Sequence, residues 1–333
     1  MTDLKNIYPV RIAGIGICVP DKVLTNSDLE KMVNTSDEWI KTRTGISERR
    51  ISSYETATSD LASKAAENAI INAGIKPEKI DLVITATATP DMLFPATACI
   101  IQNHIGAVNA GAFDLEAGCS GFMYALIVAS QFISTGAYNN VLVVGADELS
   151  KITNWEDRST CVLFGDGAGA VILQRSDGNS GILSFVLGAR GSGAEHLKFP
   201  AGGTRMPATE DTVKNKLHCI HMNGNEVFKF AVKKMGEAAE EAVAKAGITL
   251  ESVDCFIPHQ ANIRIIDAAA KRLKLPKEKV FVNVDRYGNT SCASIPIALY
   301  EALEKGMIKK DSIIVMVGFG AGLTWASIVM KWS

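Results

Sequence analysis

Residues Gly111 to Gly136 read GAFDLEAGCSGFMYALIVASQFISTG, and the fold class turns on how this stretch divides. Ala112, Phe113 and Leu115 form a short apolar segment suited to a strand. The small residues Ala117, Gly118, Ser120 and Gly121 follow, and then an apolar run from Phe122 to Ile133. That run is too long for a strand and apolar on nearly every face, which predicts a helix buried on all sides. Gly136 is placed to close it as a C-cap glycine. At the strand-to-helix junction stands the sulfur of Cys119. A thiol at a helix N-terminus faces unpaired N–H groups and the positive end of the dipole, so its thiolate is expected to be favoured. The flanking glycines let backbone and substrate approach closely. A free cysteine is more often a small buried hydrophobe, so the chemical reading of Cys119 depends on its company along the chain.

Working outward, buried strands are predicted at Val10–Val19, 80–88 and 140–148, with an Ala-rich amphipathic helix over Thr58–Ala73 stopped by Gly74. From Gly181 the pattern begins again. The core A-G-I-x-x-E-x-[I/V]-D spans Ala73–Asp81 and Ala246–Asp254, an offset of 173 positions (246 − 73). The strands VLVVG and IVMVG end at Gly145 and Gly318, at the same offset (318 − 145 = 173), which also carries Cys119 onto Cys292. The chain therefore reads as an internal duplication, with α/β halves at 1–174 and 175–333. Cys292 lacks the glycine neighbours of Cys119 and reads as a core residue at a helix start.

The 333 residues are 47% apolar with a net charge of −2, enough to bury a large core and without the basic excess of a nucleic-acid footprint. Seven cysteines without paired spacing suit a reducing compartment. The apolar stretch Ile12–Pro20 has no signal-peptide cleavage site, and no apolar run reaches the roughly 18 residues of a membrane helix. A cytoplasmic chain without membrane or nucleic-acid partners is the expectation.

Three further stretches are candidates to meet Cys119 if strand ends from the two halves converge. Pro258-His259-Gln260-Ala261-Asn262 follows the strand at 253–257; a His at a strand end in a polar turn is placed to act. Tyr287-Gly288-Asn289-Thr290-Ser291 is a turn before the second buried helix. Gly318-Phe319-Gly320-Ala321-Gly322 offers backbone N–H groups to an oxyanion.

Together these motifs resemble the β-ketoacyl-[acyl carrier protein] synthase III family. GCSG around Cys119, HQANIRI from His259, YGNTS from Tyr287, GFGAGLTW from Gly318, TSDEWIKTRTGI and FGDGAGAV occur in the family's order across essentially the whole chain. The resemblance implies a thiolase-like α/β fold of two duplicated halves layered αβαβα. It implies a Cys119–His259–Asn289 triad and an oxyanion hole from the backbone N–H groups of Cys119 and Ala321. Family members often have glycine at the latter position; alanine keeps the N–H where the backbone is one that L residues adopt.

By the same resemblance, Thr35, Trp39, Arg43, Arg158, Asn225, Asn262 and Arg264 are expected to bind coenzyme A, with adenine stacked on indole and guanidinium. Gln260, Ala261, Asn262, Ile263, Arg264, Lys271 and Arg272 are expected to receive the acyl carrier protein. Phe94 and Phe319 are expected at the acyl pocket, Phe94 crossing to a partner subunit in a homodimer. The activity implied is decarboxylative condensation of an acyl-CoA primer with malonyl-[acyl carrier protein], acyl-CoA being a substrate and no cofactor or metal being required.

Other readings fit the residues less well. A thiolase needs a second cysteine in the C-terminal glycine loop, and GFGAG has none. An elongating synthase has His where Asn289 stands. Gly165, Gly167 and Gly169 feed a strand instead of following one into a helix, unlike a dinucleotide fingerprint. His218, Cys219 and His221 lack further ligands at metal spacing. A cysteine hydrolase would not need Asn289, and a non-catalytic scaffold would have lost triad members. A condensing enzyme or acyltransferase of secondary metabolism with the same triad remains the alternative.

Overall fold

The computed structural model describes residues 7–178 and 180–333. The opening stretch divides as its composition requires. Strand β3 (Gly111–Leu115) leads through a 3₁₀ turn, Gly118–Ser120, into a helix at Gly121–Ser134. Gly136 follows with φ of +77°, a left-handed position that suits glycine.

In chain order the strands of the two main sheets are β1 (Val10–Cys18), β2 (Leu82–Ala86), β3, β4 (Val141–Glu148), β5 (Asp166–Arg175), β6 (Gly181–Ala189), β7 (Cys255–Pro258), β8 (Ile313–Gly320) and β9 (Thr324–Lys331). The helices that matter here are α1 (Asp37–Thr44), α2 (Thr58–Ala73), α3 (Thr97–His104), α4 (Gly121–Ser134), α5 (Gly224–Lys245), α6 (Ile263–Arg272) and α7 (Ser294–Glu304). A five-stranded sheet has the order β1-β5-β4-β2-β3, and a four-stranded sheet the order β7-β8-β9-β6. Both are mixed: β2 runs parallel to β3 and β4, and β7 parallel to β8, while β5 and β9 pair antiparallel with their neighbours.

Three apolar clusters stack these elements. Ala62, Ala65, Ala69 and Ile101 of α2 and α3 pack on one face of the first sheet through Leu142, Val144 and Ile172. Its other face, through Val143 and Val171, meets Phe122, Leu126 and Ile133 of α4, and Ile295 and Leu299 of α7. The second sheet closes that central layer through Ile257, Met316 and Ile328, all in the same cluster. Its outer face packs through Val315 and Val329 on Phe230 and Met235 of α5 and Ile265 and Ala269 of α6. The layers therefore run αβαβα. This order explains why α4 and α7 carry almost no polar surface: both are covered by a sheet on each side.

Elements recur at the sequence offset. The 3₁₀ turn Gly118–Ser120 has its counterpart at Ser291–Ala293 (291 − 118 = 173), and Pro77–Lys79 at Leu250–Ser252 (250 − 77 = 173). Gly169 lies inside β5, where an added Cβ would come within 2.6 Å of the Cβ of Pro296 on α7. The glycine admits the helix onto the sheet.

Candidate active site

The site is assembled where α4 and α7 begin. Cys119 occupies the 3₁₀ turn before α4. The turn carrying it meets the end of β8 backbone to backbone. A Cβ on Gly118 would lie 2.4 Å from the N of Ala321, and one on Gly320 would lie 2.5 Å from the N of Cys119. Glycine at both positions allows this close backbone approach. Ala321 is not among the residues with positive φ; that burden falls on Gly322 and Leu323, so alanine is accommodated without backbone strain. The Oγ of Ser120 donates to the carbonyl of Ala117 at 2.8 Å, and Thr324 Oγ1 donates to the same carbonyl at 2.9 Å, tying the turn to β9.

His259 follows β7, its N–H donating to the carbonyl of Val317 at 2.8 Å. Its ring is buried, stands edge-on to Phe319 with centroids 5.2 Å apart, and has Nδ1 2.5 Å from Ser294 Oγ. Among the described residues its Nε2 has no hydrogen-bond partner. Burial pulls its pKa down to about 3, so the ring is neutral over the working pH range. Asn289 is held by its backbone: its N–H donates to the Leu163 carbonyl at 2.8 Å, and its carbonyl accepts from Gly165 at 3.0 Å. Its Oδ1 accepts from the N–H of Ser291 at 2.9 Å. The oxygen is thereby committed, and the amide N–H₂ remains as the donor.

One cavity of about 100 Å³ is lined by Cys119, His259, Asn289, Phe319, Ala261 and Asn262, together with Phe164, Met222, Val227 and Phe228. Phe319 lines it as expected at the acyl pocket, whereas Phe164, Met222, Val227 and Phe228 are placed there by segments that sequence does not bring together. Beside the cavity, the ring of Trp39 on α1 carries Arg158 at 4.7 Å and Arg43 at 5.4 Å. Asn262 joins the two regions: it lines the cavity, caps α6 and donates to the Arg43 carbonyl at 3.0 Å. Thr35 is half-buried with its hydroxyl unpartnered among the described residues, Asn225 is exposed in the first turn of α5, and Arg264 lies over Phe228 at 4.9 Å.

Three expectations change. Instead of favouring the thiolate, the surroundings of Cys119 push the thiol up to about 12: burial is the main cause, Asp147 and Glu116 add to the rise, and the Ser291 hydroxyl opposes it. Gln260 is no docking residue: it is 1% exposed, donates to the carbonyls of Pro258 and Phe281, and accepts from the N–H groups of Asn283 and Val284. It braces the turn behind His259. Arg272 is held by Glu240 at 2.7 Å and Glu237 at 3.9 Å on α5, so its charge is already paired. Lys271 and Arg264 are exposed, and Ile263 is half-buried beneath Gly45. Phe94, expected to reach a partner subunit, lies outside the cavity of its own chain and is 83% exposed beside Leu93 at 82%.

Cys292 is buried, its N–H donating to Asp147 Oδ2 at 2.9 Å and its thiol to the Gly118 carbonyl at 3.2 Å. Asp147 also accepts from Thr87, Ala88 and Thr89. It clasps the two halves beneath Cys119, a role the sequence signalled only as a charge inside a buried strand.

Residues 113–191 match the family described as 3-Oxoacyl-[acyl-carrier-protein (ACP)] synthase III, and residues 243–332 match its C-terminal portion. The Beta-ketoacyl-[acyl-carrier-protein] synthase III of Caldanaerobacter subterraneus subsp. tengcongensis is 60% identical, over 97% of this chain and 97% of its own length. The crystal structure of 3-oxoacyl-[acyl-carrier-protein] synthase III from Aquifex aeolicus VF5 superposes with a TM-score of 0.90 at 50% identity, covering 97% of this chain and all (100%) of that one. The priming β-ketosynthase of the R1128 polyketide pathway superposes at 0.91 with 34% identity, covering 98% of this chain and 97% of its own. Identity of this extent over nearly the full length, with the thiolase-like layering and the shared cavity, leads to one conclusion: the chain belongs to the 3-oxoacyl-[acyl-carrier-protein] synthase III family of condensing enzymes.

Proposed function

We propose that the Cys119 cavity condenses an acyl-CoA primer with malonyl-[acyl carrier protein], releasing CO₂ and giving a 3-oxoacyl-[acyl carrier protein] that starts fatty acid synthesis. The observation that carries this reading is one cavity holding a thiol, a neutral imidazole with an unpartnered Nε2, and an amide whose oxygen is already engaged. A hydrolase needs a base for water. Two neutral hydrogen-bond donors instead suit a developing enolate.

The Cys119 thiol loses its proton and the sulfur attacks the acyl thioester carbonyl; the C–S bond to CoA breaks, that proton ends on the departing CoA sulfur, and the acyl group remains on Cys119. The malonyl thioester enters next. Breaking its carboxylate bond releases CO₂ and puts the electron pair on the thioester enolate, whose oxygen accepts from His259 Nε2–H and the Asn289 amide. The enolate carbon then attacks the acyl-Cys119 carbonyl. The resulting oxyanion accepts from the Cys119 and Ala321 N–H groups until it collapses and expels the thiolate.

The Trp39, Arg43 and Arg158 cluster suits an adenine and its phosphates, with Thr35, Asn225 and Asn262 along the pantetheine arm. Lys271 and Arg264 offer exposed positive charge to an acidic carrier protein. The nucleophile sits on the 1–174 half, and the His and Asn donors sit on the 175–333 half. The exposed apolar Leu93 and Phe94 support a homodimer in which this loop is covered by a second copy. No helix among the described residues is long and apolar enough to cross a membrane, and with the unpaired cysteines this supports a cytoplasmic enzyme.

Incubating the protein with an acyl-CoA panel, then with malonyl-[acyl carrier protein], tests the reading. Intact mass and peptide mapping should find the acyl group on Cys119 alone and then a 3-oxoacyl-[acyl carrier protein] product. An acyl group on Cys292, or hydrolysis without condensation, would contradict it.

A further inference from the structure

We propose that Ser294 is a positioning residue that sets the tautomer of His259, keeping the proton on Nε2 where the cavity needs a donor. This rests on the condensation reading above, in which His259 donates to the enolate. Ser294 opens α7 and is buried, and its Oγ lies 2.5 Å from His259 Nδ1. The same Oγ accepts from the N–H of Gln260 at 3.4 Å. Among the described residues the hydroxyl hydrogen has no acceptor other than Nδ1. If Nδ1 carried the proton, Ser294 would accept from two donors and its own hydrogen would be buried without a partner.

The arrangement that satisfies every group has Ser294 O–H donating to Nδ1. A neutral imidazole has one N–H, so that proton is on Nε2. Among the described residues Nε2 has no partner, and His259 lines the cavity with Cys119 and Asn289. An Nε2–H donates to an enolate oxygen but cannot accept a proton from the thiol. The serine thus separates the two half-reactions: it supports decarboxylation and leaves thiol activation to other groups. Gln260, bracing the same turn from the opposite side, holds the N–H that orients the hydroxyl.

The test uses ¹⁵N-imidazole NMR on full-length protein together with single-turnover kinetics. His259→Ala identifies the His259 resonances among the five histidines. Wild type should show Nε2 protonated and Nδ1 bare between about pH 6 and 8, and Ser294→Ala should show a mixture of tautomers. On enzyme already acylated at Cys119, Ser294→Ala should slow CO₂ release from malonyl thioester by about tenfold or more, with acyl-enzyme formation changed less than about twofold. Ser294→Thr, which keeps the hydroxyl, should restore both readouts. An Nδ1–H tautomer in wild type, or unchanged CO₂ release in Ser294→Ala, would overturn the assignment. Because the NMR measurement needs no substrate, it decides the tautomer even if wild type released no CO₂, a result that would instead defeat the condensation reading. It also needs no variant to be as stable as wild type.

Discussion

At Cys119 burial pushes the thiol up, against the thiolate that a helix N-terminus favours. A thiol pushed up to about 12 is almost wholly protonated at neutral pH, and the attacking form is the thiolate. Raising pH increases the thiolate fraction, so acylation by acyl-CoA should accelerate about tenfold per pH unit between about pH 7 and 9. Stopped acylation followed by intact mass would check this; a rate flat across that range would mean that substrate binding itself lowers the thiol. His259 behaves oppositely. Its folded pKa is depressed to about 3, so it stays neutral throughout this window and contributes no pH step of its own. Trp39 belongs to binding: Trp39→Ala should raise KM for acyl-CoA about tenfold while kcat changes little, the pattern of lost uniform binding. A collapsed kcat with unchanged KM would place Trp39 in the chemistry.

Among the elements, packing of α7 on β5 depends on Gly169. Gly169→Ala would drive a Cβ to 2.6 Å from Pro296, and overpacking of this kind costs about 1–3 kcal/mol. Urea denaturation should show that loss; an unchanged midpoint would mean that α7 shifts freely. The element pattern was largely legible in the sequence. The bounds of α2 and the strand-turn-helix unit around Cys119 follow from periodicity and from glycine stops, and the 173-residue offset follows from a repeated motif. What escaped were contacts made between distant segments. Gln260 looked like a surface residue because it adjoins a polar turn, yet it is filled by backbone groups of Phe281, Asn283 and Val284. Arg272 looked free because its partners Glu237 and Glu240 lie on another helix. The burial that raises the Cys119 thiol comes from surroundings that no local motif specifies.

Across the whole molecule, two similar halves bring a thiol from one and two donors from the other to a common cavity, clasped by Asp147 beneath. An apolar loop carrying Leu93 and Phe94 projects from this body. Phe94→Asp should weaken self-association by at least about tenfold in sedimentation experiments, since a charge at a buried aromatic anchor is strongly unfavourable. An unchanged dimer would move the interface elsewhere, and a monomeric wild type would remove it.

The central claim is that His259 and Asn289 act after Cys119 has been acylated. Following acyl-enzyme mass and CO₂ release separately in Asn289→Ala tests it most directly. The account predicts that acyl-enzyme still forms and that CO₂ release falls on the order of 10²–10³-fold, the usual effect of losing one such donor. Abolished acylation with decarboxylation left intact would contradict it.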